Sequence, residues 1–266
     1  LMYMITSDDE EDRMPPMEKS TRLTDAEINI LRQWIAEGAN YEEHWAFVPV
    51  SRPSLPKVKK KRWPQSAIDH FVLARLESER LAPAKKASRE TLVRRAFLDL
   101  TGLPPTPEQA AEFINNKSGD AWSELIESLL ASPHYGERWG RHWLDVARYA
   151  DSSGFETDLF FAHAWRFRDY VIRSFNQDKS FDRFIKEQIA GDELYPSDED
   201  AIIATEFYTI GPMLEESGMV TGKLEYDQQT DFVDTTGAAF LGMTFGCARC
   251  HDHKYDPVSQ KDYFGL

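Results

Sequence analysis

Residues 132–150 read SPHYGERWGRHWLDVARYA, and this stretch decides the fold class. The Ser132 hydroxyl can accept hydrogen bonds from the free N–H groups of a first helical turn, and Pro133 suits the first helical position. Apolar side chains then recur at spacings of three and four; they are Trp139, Trp143, Val146 and Ala150. The stretch therefore predicts a helix that begins at Ser132-Pro133 and carries this stripe to its end.

Further helix signals lie on both sides of this stretch. Thr106 with Gln109 and Thr24 with Glu27 have the spacing of a capping box, and Gly102 stands where a helix would stop. Apolar residues recur at helical spacing in other segments; these are 28–35, 68–76, 92–100, 125–130 and 181–189, the last closed by Gly191. No segment shows the alternation of a strand, so we expect a mainly α, multi-helix fold.

Prolines and a basic run separate two helical regions. Proline at positions 49, 53 and 56 disfavours regular structure, and the run KVKKKR follows at 57–62. A charge run flanked by prolines is typical of a solvated linker. The sequence therefore predicts three parts, which are residues 1–40, a linker at 41–64, and a helical domain at 65–266.

The composition limits the classes of partner. Lys and Arg total 31 against 45 Asp and Glu, a formal net charge of −14 at pH 7. Such a surface repels phosphate backbones, so nucleic acid is not an expected partner. No apolar run reaches the roughly 18 residues of a membrane span, and no signal peptide is visible. Because both ends fall inside patterned segments, we expect a piece of a longer protein.

The chemistry is concentrated at residues 245–257, which read FGCARCHDHKYDP. Cys247 and Cys250 are the only two cysteines, and His251 follows directly. In a C-x-x-C-H pattern, two thiols about one turn apart can bond the vinyl groups at one edge of a haem, and the histidine then ligates the iron. Two other uses remain open. The thiols could form half of a zinc site or a redox dithiol.

A second cluster follows at once in the chain. Asp252, His253 and Asp256 could bind a second metal ion through oxygen and nitrogen ligands. The alternative is that these side chains cap a turn that Pro257 ends.

Several long strings together resemble the planctomycete cytochrome-like family, which comprises large secreted proteins of poorly defined function. The strings DRMPP (12–16) and LTDAEINILRQWIAEGA (23–39) are similar to the end of the family's small cytochrome c module. Other strings resemble its second cytochrome-like domain; they include IDHFVLARLESERL, RRAFLDLTGLPPTPEQ and DTTGAAFLGMTFGCARCHDHKYDPVSQKDYF. The resemblance covers nearly the whole chain.

The resemblance implies a cofactor, haem c, attached at Cys247 and Cys250 with His251 as the proximal axial ligand. It implies that Met14 is the distal ligand of an incomplete first module, so that residues 1–40 are a cytochrome c remnant. It also implies a periplasmic or secreted location. The expected partners are a redox protein and the remaining domains of the full-length chain.

The sixth ligand of the iron has several candidates. His142 ranks first, because its helix carries Trp139 and Trp143 as possible walls for a haem. Met213 and Met219 lie in a loop-like stretch and are alternatives. A set of charged residues could pair with haem propionates or with one another. Asp145 and Arg148 are placed to pair along one helix face. The other members of the set are Asp151, Asp158, Arg166, Arg168 and Asp169.

Three functions are compatible with these residues. The first is electron transfer by an exported c-type cytochrome-like domain, which we favour over hydrolysis. The second is a metal-dependent extracellular enzyme module that acts on complex substrates such as polysaccharides. The third is a structural or binding module without haem.

Overall fold

The computed structural model describes residues 1–16, 21–42, 44–154, 158–212 and 221–266, with residue 221 described by its backbone alone. The chain divides into two compact units, Leu1–Ala84 and Lys85–Leu266. The described residues form twelve α-helices and no strand; one isolated bridge joins Ser152 to Phe160. The prediction of a mainly α fold is therefore confirmed. None of the described helices is long and apolar enough to cross a membrane.

Among its described residues, the first unit contains three helices. The capping box at its second helix is confirmed, because Thr24 Oγ1 accepts from the N–H of Glu27 while Glu27 Oε2 accepts from the N–H of Thr24, at 3.3 and 2.7 Å. The helices are α1 (Met2–Thr6), α2 (Asp25–Ala36) and α3 (Ala67–Ser78).

The buried face of α3 is not the face that the sequence predicts. The apolar pattern of residues 68–76 favours a buried stripe, but three of its members are exposed; they are Ile68, Phe71 and Val72. Instead Leu73 is fully buried, and the Glu77 carboxylate one turn later accepts from the backbone N–H groups of Lys59 and Lys60. These bonds also hold part of the basic run, which was predicted to be solvated.

The second unit contains nine α-helices among its described residues. A 3₁₀ turn (Thr205–Tyr208) follows α10, and a π turn (Gly237–Leu241) follows α11. The helices are α4 (Arg89–Thr101), α5 (Pro107–Asn115), α6 (Ala121–Leu130), α7 (Pro133–Val146), α8 (Trp165–Asn176), α9 (Phe181–Leu194), α10 (Glu199–Ala204), α11 (Thr221–Thr236) and α12 (Gln260–Gly265).

Helices α4 to α6 form a small cluster of their own. Thr106 and Gln109 make the predicted capping box at α5, and Gly102 ends α4 in the left-handed region with φ of 73°. The buried side chains of this cluster are Val93, Ala96, Phe97, Phe113, Ala121 and Leu129. The local sequence signals therefore place this cluster correctly.

The main core lies where α7, α8 and α9 meet. Trp143 of α7 packs against Phe184 of α9 at 4.9 Å between ring centroids, and its indole N–H donates to Gln188 Oε1 at 2.7 Å. The backbones of α7 and α8 approach closely at Gly136, where an added Cβ would collide with the carbonyl of Ile172. The fully buried members of this core are Ala147, Phe167, Tyr170, Val171, Ala204 and Phe207.

A buried carboxylate links these helices. Glu187 of α9 is 1% exposed and accepts hydrogen bonds from Tyr170 Oη at 2.8 Å and Lys179 Nζ at 2.6 Å, and also from Arg183 Nε. Burial alone would raise the pKa of this carboxyl, but the three hydrogen bonds outweigh it and hold the pKa below its ordinary value. Glu187 therefore stays ionised inside the core.

One predicted helix end is wrong. Helix α7 ends at Val146 rather than near Ala150, because Arg148 adopts the left-handed region with φ of 62°. The predicted pairing of Asp145 with Arg148 along one helix face is therefore not formed, and Arg148 binds Asp231 at 2.7 Å instead. In α9, Ala190 leaves helical geometry directly before Gly191, where the sequence predicts the stop, and a further short helical stretch runs to Leu194. A side chain at Gly191 would collide with the carbonyl of Ala201 in α10.

We expect Gly136→Ala to lower the free energy of unfolding by about 1–3 kcal/mol, since the added methyl group forces α7 and α8 apart. Urea unfolding followed by circular dichroism measures this change. Gly119→Ala is the matched control, because an added Cβ there meets no atom within 4 Å. Equal stability of the two variants would contradict the close approach of α7 and α8.

We expect Glu187→Gln to lower the free energy of unfolding at pH 7 by on the order of 3 kcal/mol, because Lys179 and Arg183 lose their buried partner. The pKa of Glu187 is lower in the folded chain, so its contribution is present above the unfolded pKa and is lost as pH falls through the folded value. The difference in stability between the parent and this variant should therefore become smaller below pH 4.5. Glu193→Gln, at an exposed position of the same helix, is the control and should keep the stability of the parent.

Candidate functional site

The C-x-x-C-H segment forms a short 3₁₀ turn, Gly246–Arg249, on the surface of the second unit. The N–H of Ala248 donates to the carbonyl of Phe245 at 2.8 Å, and the N–H of Cys250 donates to that of Cys247 at 3.4 Å. The two cysteines are therefore one tight turn apart, as the sequence predicts from their spacing.

The residues of this turn divide into an inner and an outer set. Ala248 is fully buried and packs with Phe245 and Tyr263 in a small apolar cluster. Cys247 and Cys250 are exposed free thiols, and His251 is exposed as well. The chemically reactive side chains therefore face away from the core, while Ala248, which lies between the cysteines, anchors the turn.

Arg249 fastens the turn to α11. Its guanidinium lies over the ring of Tyr226 at 4.5 Å from the centroid, and its Nε donates to Tyr226 Oη at 3.3 Å. Asp227 lies 3.6 Å away and completes an ion pair. Because an arginine stacked on an aromatic ring and paired with a carboxylate is restrained in orientation, these contacts hold the backbone of the turn against α11.

The N-terminus of α12 holds the other side of the segment. The N–H of Gln260 donates to Asp252 Oδ1 at 2.9 Å, and the Gln260 side-chain amide donates to the carbonyl of Arg249 at 3.1 Å. A capping box between Ser259 and Asp262 begins this helix. The segment from Arg249 to Asp252 is therefore tied at both ends to a helix eight residues later.

The orientation of His251 follows from one hydrogen bond. Its Nδ1 lies 2.8 Å from the carbonyl oxygen of Asp252. A carbonyl can only accept, so Nδ1 carries the proton and Nε2 of the neutral ring keeps its lone pair. This is the usual arrangement of a metal-ligating histidine, in which the second ring nitrogen is fixed by a backbone carbonyl.

In the second predicted cluster, Asp252, His253 and Asp256, side chains accept hydrogen bonds from the backbone. His253 Nδ1 accepts from the N–H of Asp256 at 2.9 Å, and Asp252 Oδ1 is already bonded to Gln260. Within the described ranges, no three His, Cys, Asp or Glu side chains are placed to hold a metal ion together. These contacts form the turn-capping alternative, and a second metal at Asp252, His253 and Asp256 stays a prediction.

An unpartnered carboxylate lies beside the turn. Asp234 of α11 faces Gly246, directly before Cys247, and its Oδ1 has no hydrogen-bond partner among the described residues. Burial raises the pKa of Asp234, with Arg249 opposing the shift and Asp231 adding to it. Nothing in the local sequence marks Asp234 as part of this site, because only the fold brings it to the turn.

The predicted distal ligands lie elsewhere. His142 is exposed on α7 and meets Trp139 edge to face at 5.5 Å between ring centroids. Trp143 is predicted to form a wall for a haem beside His142. Its ring is instead enclosed in the core by Phe184 and Phe240 and cannot take this role. Met14 is half exposed in the first unit. Ligation by His142 or Met14 stays a prediction, and Met213 and Met219 lie outside the described residues.

Three of the remaining predicted charged residues make short-range contacts. Arg168 binds the neighbouring Asp169 at 2.9 Å, and Asp151 accepts from Tyr149 Oη at 2.7 Å. The phenol pKa of Tyr149 rises to about 12, through burial first and then through its bond to Asp151. These residues do not join the C-x-x-C-H turn through any hydrogen bond among the described residues.

Comparison with known proteins gives one match. A family model described as PSCyt2, protein of unknown function (DUF1549), matches residues 67–266, about three quarters of the chain. Neither the curated proteins nor the solved structures yield a match.

We expect both thiols of the haem-free chain to react with Ellman's reagent without denaturant, because Cys247 and Cys250 are exposed. The absorbance of the released thiolate should report two thiols in the folded chain and one in Cys247→Ala or Cys250→Ala. The same count in denaturant serves as the control. A folded chain whose thiols react only after unfolding would contradict the outward orientation of the turn.

Proposed function

The chain belongs to the PSCyt2 family of planctomycete cytochrome-like domains of unknown function, and from that premise we propose that it carries haem c and transfers electrons to a partner protein. The single observation that carries this proposal is the arrangement at residues 247–251. Two exposed thiols lie one turn apart, and the next imidazole has its Nδ1 tied to a carbonyl.

The residues present fit this cofactor by their donor chemistry. Cys247 and Cys250 would form the two thioether bonds, and His251 would offer Nε2 to the iron. Haem bound there would supply a one-electron couple. The fixed Nδ1–H of His251 orients its ring and raises the basicity of the opposite nitrogen, which favours ligation.

The fold prepares these groups before any cofactor binds. Ala248 fills the apolar cluster, Arg249 is held by Tyr226 and Asp227, and the Gln260 side chain holds the Arg249 carbonyl. Each contact uses a residue other than the three reactive ones. The thiols and the imidazole therefore lose little conformational freedom on bonding, which favours attachment.

The surface position of the turn suits electron transfer and constrains the partner. A group attached to exposed residues lies near solvent, within reach of a docked protein. The net charge of −14 would attract a partner with a basic patch and speed its encounter. Because attachment needs free thiols and a dedicated machinery outside the cytoplasm, we also propose an exported or periplasmic location.

The metal-dependent enzyme has less support. Its proposed centre at Asp252, His253 and Asp256 is used for backbone hydrogen bonds, and no alternative three-ligand group occurs in the part of the chain that the structure describes. We therefore propose no hydrolytic role for this segment.

We expect covalent haem when the chain is exported together with a c-type cytochrome maturation system. A pyridine haemochrome spectrum and haem staining of a denaturing gel measure attachment. The double variant Cys247→Ala/Cys250→Ala should lose the stain, and each single variant should show the shifted band of a haem held by one thioether. His251→Ala should lose proper ligation, seen as an altered Soret band.

His134→Ala is the matched control, since His134 is an exposed imidazole that pairs with Glu137 on α7. This variant should keep the stoichiometry and spectrum of the parent. A folded parent chain that leaves the maturation system without covalent haem would overturn the proposed function.

A further inference from the structure

A groove unrelated to the cysteine segment runs between α8 and α10. Two adjoining cavities, of about 560 and about 250 Å³, share Arg166, Glu199 and Ile203 in their linings. The volume of the larger one lies within the range of roughly 300–1,000 Å³ that is typical of small-molecule sites. None of the residues that line either cavity belongs to segment 245–257.

Ion pairs join the walls of this groove. Arg173 of α8 binds Asp200 of α10 at 2.6 Å, and this pair ties the two helices together. Asp198 caps α10 through the N–H groups of its first turn and binds Arg183 of α9 at 2.9 Å. The groove is therefore preformed, and a ligand would not have to order it.

The lining combines an aromatic surface with many polar groups. Trp165 stands at one end and is 47% exposed, and Ile202 adds an exposed apolar floor. Hydroxyl groups lie at the other end; they belong to Ser197, Thr205 and Thr209. A ligand that fits must offer both a flat apolar face and several hydrogen-bonding groups.

One carboxylate in the groove lacks a partner. Glu206 Oε2 is buried and has no hydrogen bond from any described residue. Burial raises the pKa of Glu206, while Arg166 and His163 oppose the shift. The residue as a whole is only half-buried and lines the larger cavity, so the exposed part of its carboxylate can accept hydrogen bonds from a ligand.

The charges along the groove nearly cancel. Arg166 and Arg173 face three acidic residues, which are Glu199, Asp200 and Glu206. A strongly charged ligand would meet like charges at one position or another, whereas a neutral ligand would not.

We propose that this groove binds a neutral oligosaccharide, with one sugar ring packed on Trp165 and hydroxyl groups bonded to Glu206, Arg166 and the threonines. The C–H face of a pyranose is apolar and flat, which matches an exposed indole. Sugar hydroxyls both donate and accept, which matches carboxylate, guanidinium and hydroxyl partners along one wall. This site is independent of the proposed haem and adds a binding function to the same domain.

Titration calorimetry on the full chain with cellotetraose, xylotetraose and mannotetraose tests this proposal. At least one of these probes should bind, and Trp165→Ala and Glu206→Gln should each weaken its binding roughly tenfold or more. Trp122→Ala is the matched control, because Trp122 is similarly exposed, on α6 outside the groove, and should leave the affinity unchanged. Circular dichroism of each variant verifies that it folds.

Three results would overturn the proposal. They are no binding of any of the three neutral probes, unchanged binding by the folded Trp165→Ala chain, and binding of tetralysine in place of the sugars. Because attachment of haem is measured separately by its spectrum, failure of this site leaves the proposed function intact, and the converse also holds.

Discussion

The arrangement of the second unit depends on a carboxylate buried among cations. Glu187 binds Tyr170 of α8 together with Lys179 and Arg183, and the next residue, Gln188, binds the indole of Trp143 in α7. Two consecutive residues of α9 therefore fix both of the other core helices. Such a set tolerates little displacement, because any shift leaves a charged or polar group in the core without its partner.

This core reaches the cysteine segment through aromatic contacts. Phe240, in the π turn after α11, packs on Trp143 and Phe207 at 5.6 and 5.0 Å between ring centroids. Helix α11 then presents Tyr226, Asp227 and Asp234 to the 3₁₀ turn. The reactive thiols are thus supported by a rigid framework while remaining at the surface, and the groove beside α10 uses the same framework on other residues.

Local signals in the sequence predict local structure well. The capping boxes at Thr24 and Thr106 need only residues three apart, so their helices form as expected. Long-range pairings could not be predicted in this way. Arg148 could bind Asp145 or Asp231 on sequence grounds, and only the left-handed backbone at Arg148 decides between them. The motif at Cys247 fixes which residues are reactive, but not that Arg249 and Asp252 position them, since their partners lie on other elements.

The bonds that shape the segment around His251 close very short loops. Gln260 is hydrogen-bonded to Asp252, eight residues earlier, and to Arg249, eleven residues earlier. His251 is hydrogen-bonded to the next residue, Asp252. The entropy lost on closing a loop grows with its length, so these bonds form at little entropic cost. Contacts of such low sequence separation also form early during folding. The segment that carries the thiols and the imidazole can therefore reach its final geometry while the distant aromatic core is still assembling.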